Sequence, residues 1–167
     1  MKTITDTSAL YNYLSSIHKD ISKFTVTEDF IQHRDKMKNK FRANGRDEEA
    51  RLMAADCLGI EYLLLQKNLV EHPQTIFHDF IYDGARVDVK LITTRYFNVP
   101  DDKVVYYMEN IRSGQLTHFA FYKYKENPGR PLKVGDKVEY LLKKVVPAEY
   151  VMQDLLPSQY KGYYYII

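Results

Sequence analysis

The chain has 167 residues, 45% of them hydrophobic, with 24 Lys+Arg against 22 Asp+Glu, a formal charge of +2, and one cysteine. Those figures fit one ordinary domain with a real core, too short for two; lone Cys57 excludes an internal disulfide, and no apolar run approaches the roughly 20 residues that cross a bilayer. The opening Met1-Lys2-Thr3-Ile4-Thr5-Asp6 does not resemble a signal peptide, so a cytoplasmic protein with no membrane partner is expected.

The first half reads helical and the second half as strands, which predicts an α/β or α+β domain. Asp6-Thr7-Ser8 caps a first helix carrying Leu10, Tyr13, Leu14 and Ile17 at helical spacing, and Thr27-Glu28-Asp29 caps a second, reaching about Phe41. Residues 33–46 read HRDKMKNKFRANGR, in which Arg34, Lys36, Lys38, Lys40, Arg42 and Arg46 are opposed only by Asp35. Such a segment suits a phosphate backbone, because each neutralised phosphate releases counterions; the alternative is a solvated helix face.

Asp47-Glu48-Glu49 followed by Leu52, Met53, Ala54, Ala55, Leu58, Ile60, Leu63, Leu64 and Leu65 predicts a helix with acids in its first turn and a broad apolar face, with Gly59 ending or weakening it. Beyond Pro73 the period changes. Residues 75–93, TIFHDFIYDGARVDVKLIT, read as two strands joined by Asp83-Gly84, a strong hairpin signal. Further strands are expected at about 103–109, 117–125 and 132–143. A short helix follows at 147–155, then a closing strand at 163–167, with Gly114, Gly129 and Gly135 at turns.

The hairpin places chemistry. A two-residue turn at Asp83-Gly84 pairs Tyr82 with Ala85, Ile81 with Arg86, Phe80 with Val87, and Asp79 with Asp88. Alternation points Val87, Val89 and Leu91 one way and Arg86, Asp88 and Lys90 the other, so Asp79, Asp88 and Lys90 share a face. Two carboxylates about 5 Å apart at an effective dielectric of about 20 repel by about 3 kcal/mol. Protonation of one acid, salt bridges to Arg86 and Lys90, or a divalent cation would each relieve that. A hard cation such as Mg²⁺ or Mn²⁺ prefers carboxylate and carbonyl oxygen and acidifies its waters, which suits phosphodiester hydrolysis.

Asp79, then Asp88-Val89-Lys90 nine residues on, behind a helix bearing acids, resembles the PD-(D/E)xK nuclease superfamily, which includes restriction endonucleases and archaeal Holliday-junction resolvases. The resemblance implies a restriction-endonuclease-like mixed β-sheet flanked by helices, with Asp79 and Asp88 as the two acids, Lys90 as the motif lysine and the Val89 carbonyl as a further metal ligand. Gly45-Arg46-Asp47-Glu48-Glu49 is similar to the resolvase stretch that supplies a helix Glu, so the resemblance assigns Glu49 to the site, with Glu48 and Glu61 as competitors. His78 stands where the motif has proline, Asp88 stands where Glu is commoner, and the later helix residue of some members, often Gln or Lys, has no counterpart at Gln115. Pro100-Asp101-Asp102-Lys103 also spells a PD and a DxK, but it reads as a turn with no motif strand after it.

One domain over 1–167 is therefore expected: a helical, basic extension at 1–44, a nuclease-like core at 45–125, and closing strands with a short helix at 126–167. The expected function is a Mg²⁺- or Mn²⁺-dependent DNA endonuclease needing no organic cofactor, with Arg34, Lys36, Lys38, Lys40, Arg42, Arg46 and Arg95 on the DNA. A homodimer suits cutting of both strands. The alternative is a nuclease-fold protein that binds DNA or assembles without cutting, and roles in phage replication, repair, restriction or defence are all open. His18, His33, His72, His78 and His118 lack zinc spacing, Cys57 reads as a small buried hydrophobe, and no Gly-rich phosphate loop is present.

Overall fold

The computed structural model describes residues 6–37, 52, 53, 55, 56, 58–159 and 161–167. Helix α1 spans Thr7–Ile21 and is capped as its sequence predicts, with the Asp6 carboxylate accepting from the Ser8 N–H at 2.9 Å. It buries Leu10, Leu14, Ile17 and Ile21. Strand β1, Lys23–Thr25, follows, then α2, Glu28–Met37, and α3, Leu58–Gln66. Strands β2, Phe80–Tyr82, and β3, Ala85–Ile92, form the expected hairpin, in the expected register from Tyr82↔Ala85 to Phe80↔Val87. Asp83 and Gly84 both hold positive φ, 47° and 84°, the conformation that a two-residue turn of this kind demands.

After β4, Tyr96–Val99, the structure departs from the sequence reading. Residues 103–109 are not a strand; they lie within α4, Asp101–Arg112. Valine and tyrosine in succession suggested strand, but Asp101 and Asp102 occupy a helical first turn, and Val104, Tyr107 and Ile111 fall on the packed side while Val105 and Met108 face out. The Pro100-Asp101-Asp102-Lys103 stretch is accordingly a helix start rather than a turn. Strand β5, His118–Tyr124, is as expected, but β6 runs over Lys137–Pro147 and leaves Leu132 in the preceding loop. A short α5, Ala148–Gln153, and strands β7, Leu156–Pro157, and β8, Tyr163–Ile166, complete the chain.

Two sheets result. The larger is mixed, ordered β1-β6-β5-β3-β2, with β3 and β5 parallel and the other neighbours antiparallel; the smaller is β4-β8-β7. A parallel pair needs a crossover, and β4 with α4 supplies it. Because β1 pairs with β6, the helical N-terminal part is tied into the same sheet. Strand β5 is buried on both faces: Ala120 and Tyr122 meet the core under α1, α2 and α3, while Phe119 and Phe121 meet the core under α4 and α5. Val87 and Val89 of β3 enter the first core, so alternation turns Asp88 and Lys90 toward the α4 side, where Ile92 is also buried.

Among the described residues, no helix is long and apolar enough to cross a membrane. Gly59 lies in the first turn of α3, just after a turn at Asp56. A Cβ there would collide with the hydroxyl of Tyr140, so the close helix–sheet approach requires glycine.

Candidate active site

Strand β2 begins at Phe80, one residue after Asp79, while Asp88 lies within β3, and Asp79 continues the hairpin in a different way. Its N–H donates to the Val87 carbonyl at 2.8 Å, and its Oδ2 accepts the Val89 N–H at 2.7 Å. A carboxylate thus occupies the place where the edge strand would have offered its backbone. Asp88, the next residue on the facing strand, hydrogen-bonds the Asp79 carboxyl. Lys90 Nζ lies 3.3 Å from Asp88 Oδ2, with 28% of the lysine side chain and 15% of the aspartate side chain exposed.

The expected grouping of Asp79, Asp88 and Lys90 is therefore present, and the way the charge is met can be read off. Arg86 takes no part: its guanidinium donates to the Gly114 carbonyl at 3.0 Å and to Gln74 at 3.4 Å. One ammonium faces two acids. Burial first, then the charges of Asp88 and Glu61, raise the Asp79 carboxyl well above the usual aspartate value. Burial pulls the Lys90 ammonium down, but Asp88 and Tyr107 outweigh it and hold the lysine well above its ordinary value.

Helix α4, misread as a strand, brings two residues that sequence reasoning missed. Tyr107, 4% exposed, has its ring centroid 5.3 Å from Lys90 Nζ. Half-buried Tyr106 is raised first by burial and also feels the charges of Asp88, Lys90 and Asp79. The signal for both was the i, i+3 and i+7 spacing of Val104, Tyr107 and Ile111 behind two first-turn acids.

The helix acid needs a fresh assignment. Glu49 and Glu48 lie outside the described residues, whereas Glu61, on α3, acts on Asp79 through its charge. Two carboxylates in contact, with a third acid acting on one of them, match what Mg²⁺ uses, since it is commonly bound through one or two carboxylates and keeps several waters. Among the described residues there is no group of three or more His, Cys, Asp or Glu arranged to hold a metal ion. Val89 meets Asp79 through its N–H. His78 is buried just before β2 and meets the Gln115 carbonyl at 2.9 Å.

The basic set divides. Arg34 is not available to a phosphate: it is 5% exposed, and its guanidinium reaches Asp35 at 3.2 Å, Asp56 at 3.1 Å and the Leu132 carbonyl at 2.6 Å. It sits on the α2 face that meets the loop before β6, so one member of the predicted DNA-binding row is a structural ion-pair residue. Lys36 is exposed. Lys38, Lys40, Arg42 and Arg46, like Cys57, lie outside the described residues. Arg95 is exposed and donates to the Tyr96 hydroxyl at 3.0 Å, with its guanidinium 5.2 Å from that ring.

Protein-family models, curated proteins and solved structures, each compared with this chain, gave no match. The functional reading consequently rests on the geometry of the site.

Proposed function

We propose that the protein is a Mg²⁺- or Mn²⁺-dependent endonuclease that hydrolyses DNA phosphodiester bonds, built on a restriction-endonuclease-like sheet. The observation that carries this reading is the contact of Asp79 with Asp88 at the open end of the β2–β3 hairpin, with the Lys90 ammonium 3.3 Å from Asp88. A mixed sheet flanked by helices, with a parallel pair beside that hairpin, agrees with the resemblance noted from the motif.

In this reading Asp79 and Asp88 would hold the cation, whose chemistry there would be to acidify a bound water and to offset charge on the phosphoryl oxygens. The Val89 N–H fixes Asp79 Oδ2 and so orients this carboxyl. Glu61 adds negative charge next to Asp79, which strengthens attraction for a divalent cation; Glu49 is the alternative helix acid. Lys90 lies where it can orient the water or offset charge that builds on the phosphate. Exposed Lys36 and Arg95 are the described cations available to the backbone of DNA, along with Lys38, Lys40, Arg42 and Arg46 of the same basic row.

The deciding experiment incubates wild type and Asp88→Ala with supercoiled plasmid and with single-stranded DNA, in Mg²⁺, in Mn²⁺ and in EDTA. Cleavage is expected from the wild type alone and is lost in EDTA, with the variant folded. Intact DNA in every lane, followed by salt-sensitive DNA binding without any divalent ion, would instead support a nuclease-fold protein that binds without cutting.

A further inference from the structure

We infer that Phe97 and Tyr107 are positioning residues that hold the Lys90 ammonium in an aromatic cage beside Asp88, so that the crossover between β3 and β5 sets where this cation meets the substrate. The inference rests on the reading of Asp79, Asp88 and Lys90 as a hydrolytic site.

A lysine carries its charge on a flexible four-carbon stem, and one carboxylate contact does not fix it. Here three elements converge on it. Nζ lies 3.3 Å from Asp88 on β3, 5.3 Å from the ring centroid of Tyr107 on α4, and 5.9 Å from that of Phe97 on β4. Both rings fall within the roughly 6 Å over which an aromatic face attracts a cation.

The walls are themselves fixed. Tyr107 packs edge-on to Phe119, centroids 5.2 Å apart at 89°, and Phe97 lies 5.5 Å from Phe119 and 5.3 Å from Phe121. Phe97 also pairs with Tyr165 across β4 and β8, so the C-terminal strand braces one wall. Neutral rings suit the task because they localise the ammonium without cancelling it. A second carboxylate in either place would have neutralised the charge that the phosphate is to meet.

Two readouts on the full-length protein test this. The first needs no activity: in EDTA, ring currents from Tyr107 and Phe97 should move the Lys90 ε-methylene proton resonances upfield of those of exposed lysines. Tyr107→Leu should return them toward the ordinary position, and Tyr107→Phe should keep them shifted. The second is kinetic. Tyr107→Leu and Phe97→Leu should lower kcat by about 10- to 100-fold, as small misplacements of a reacting group do, with KM for DNA little changed, while Tyr107→Phe restores most of the rate.

If Tyr107→Leu does not fold, Phe97→Leu and Tyr107→Phe still carry the comparison. Ordinary Lys90 shifts in a wild type that cleaves DNA would overturn the cage and leave the hydrolytic reading intact. Shifted resonances in a wild type that cleaves nothing would overturn the positioning role together with that reading. A wild-type kcat in both leucine variants would overturn the positioning role alone.

Discussion

Two charged clusters in this protein were built from the same materials and finished differently. In the Arg34–Asp56 pair every facing group is used: Asp56 takes Arg34 on one oxygen and the Leu132 N–H on the other at 3.0 Å, and Arg34 also holds Asp35 and the Leu132 carbonyl. Burial still raises Asp56 to about 6, even with its hydrogen bonds and the Arg34 charge pulling it down. At the hairpin end, two acids and the charge of a third meet one ammonium, and Asp79 is left well above its usual value. The first cluster closes a loop onto a helix; at the second, the charges of Asp88 and Glu61 oppose ionisation of Asp79. Each Asp56 oxygen has its own partner, whereas the hairpin acids are held against one another beside a single ammonium.

Mutation should separate the two clusters. Asp56→Ala strands a buried guanidinium and should cost about 3–5 kcal/mol, seen as a lower urea midpoint and a large fall in Tm. A wild-type Tm for that variant would show that Arg34 is free to rotate out to solvent.

The next largest effect is on acid stability. His118 is fully buried, with Thr7 at 3.0 Å on Nε2 and Thr117 at 2.8 Å on Nδ1, and burial lowers it to about 4. A lowered histidine stabilises the fold above its unfolded value near 6.5, and that contribution is lost as pH falls from there toward 4. The slope is at most about 1.4 kcal/mol per pH unit. Asp56 acts in the opposite sense, its raised value costing stability as pH rises from the ordinary aspartate value to about 6. Melting curves of His118→Gln between pH 4 and 7 should lose the acid limb and expose the opposing Asp56 slope.

Asp79→Asn should behave unlike either. Its raised carboxyl is stabilising when protonated and loses that stability as pH rises through its folded value. The amide can still accept the Val89 N–H. This variant should therefore match the wild type in acid and melt higher near neutrality, by an amount worth about 1 kcal/mol for relief of opposed like charges. Mg²⁺ should raise the Tm of the wild type and not of Asp79→Asn; equal shifts would remove the cation from the site. The smallest effect is Lys36→Glu, which should leave Tm within about 0.5 kcal/mol of the wild type. It should weaken DNA binding and lower the salt slope by about one or two.

The hairpin was legible because its determinants are local. Asp83-Gly84 fixes the turn, the turn fixes the register, and the register fixes which side chains share a face. Arg34 was misjudged for the opposite reason. Its partner Asp56 is 22 residues away and the Leu132 carbonyl 98, so nothing in a row of basic residues marks the one that turns inward. The same distance hid Tyr107, whose role depends on α4 crossing over β3.

The sequence by itself determined the capped first helix, the β2–β3 hairpin, the apolar alternation of Val87 and Val89, and the shared face of Asp79, Asp88 and Lys90. Each follows from period and turn geometry within about 15 residues. Tertiary structure alone decided that Arg34 is buried, that Glu61 acts on Asp79, and that two aromatic rings flank Lys90. Those outcomes depend on which surfaces meet after the chain crosses over, and packing energy summed across distant segments outweighs the local preference of any one of them.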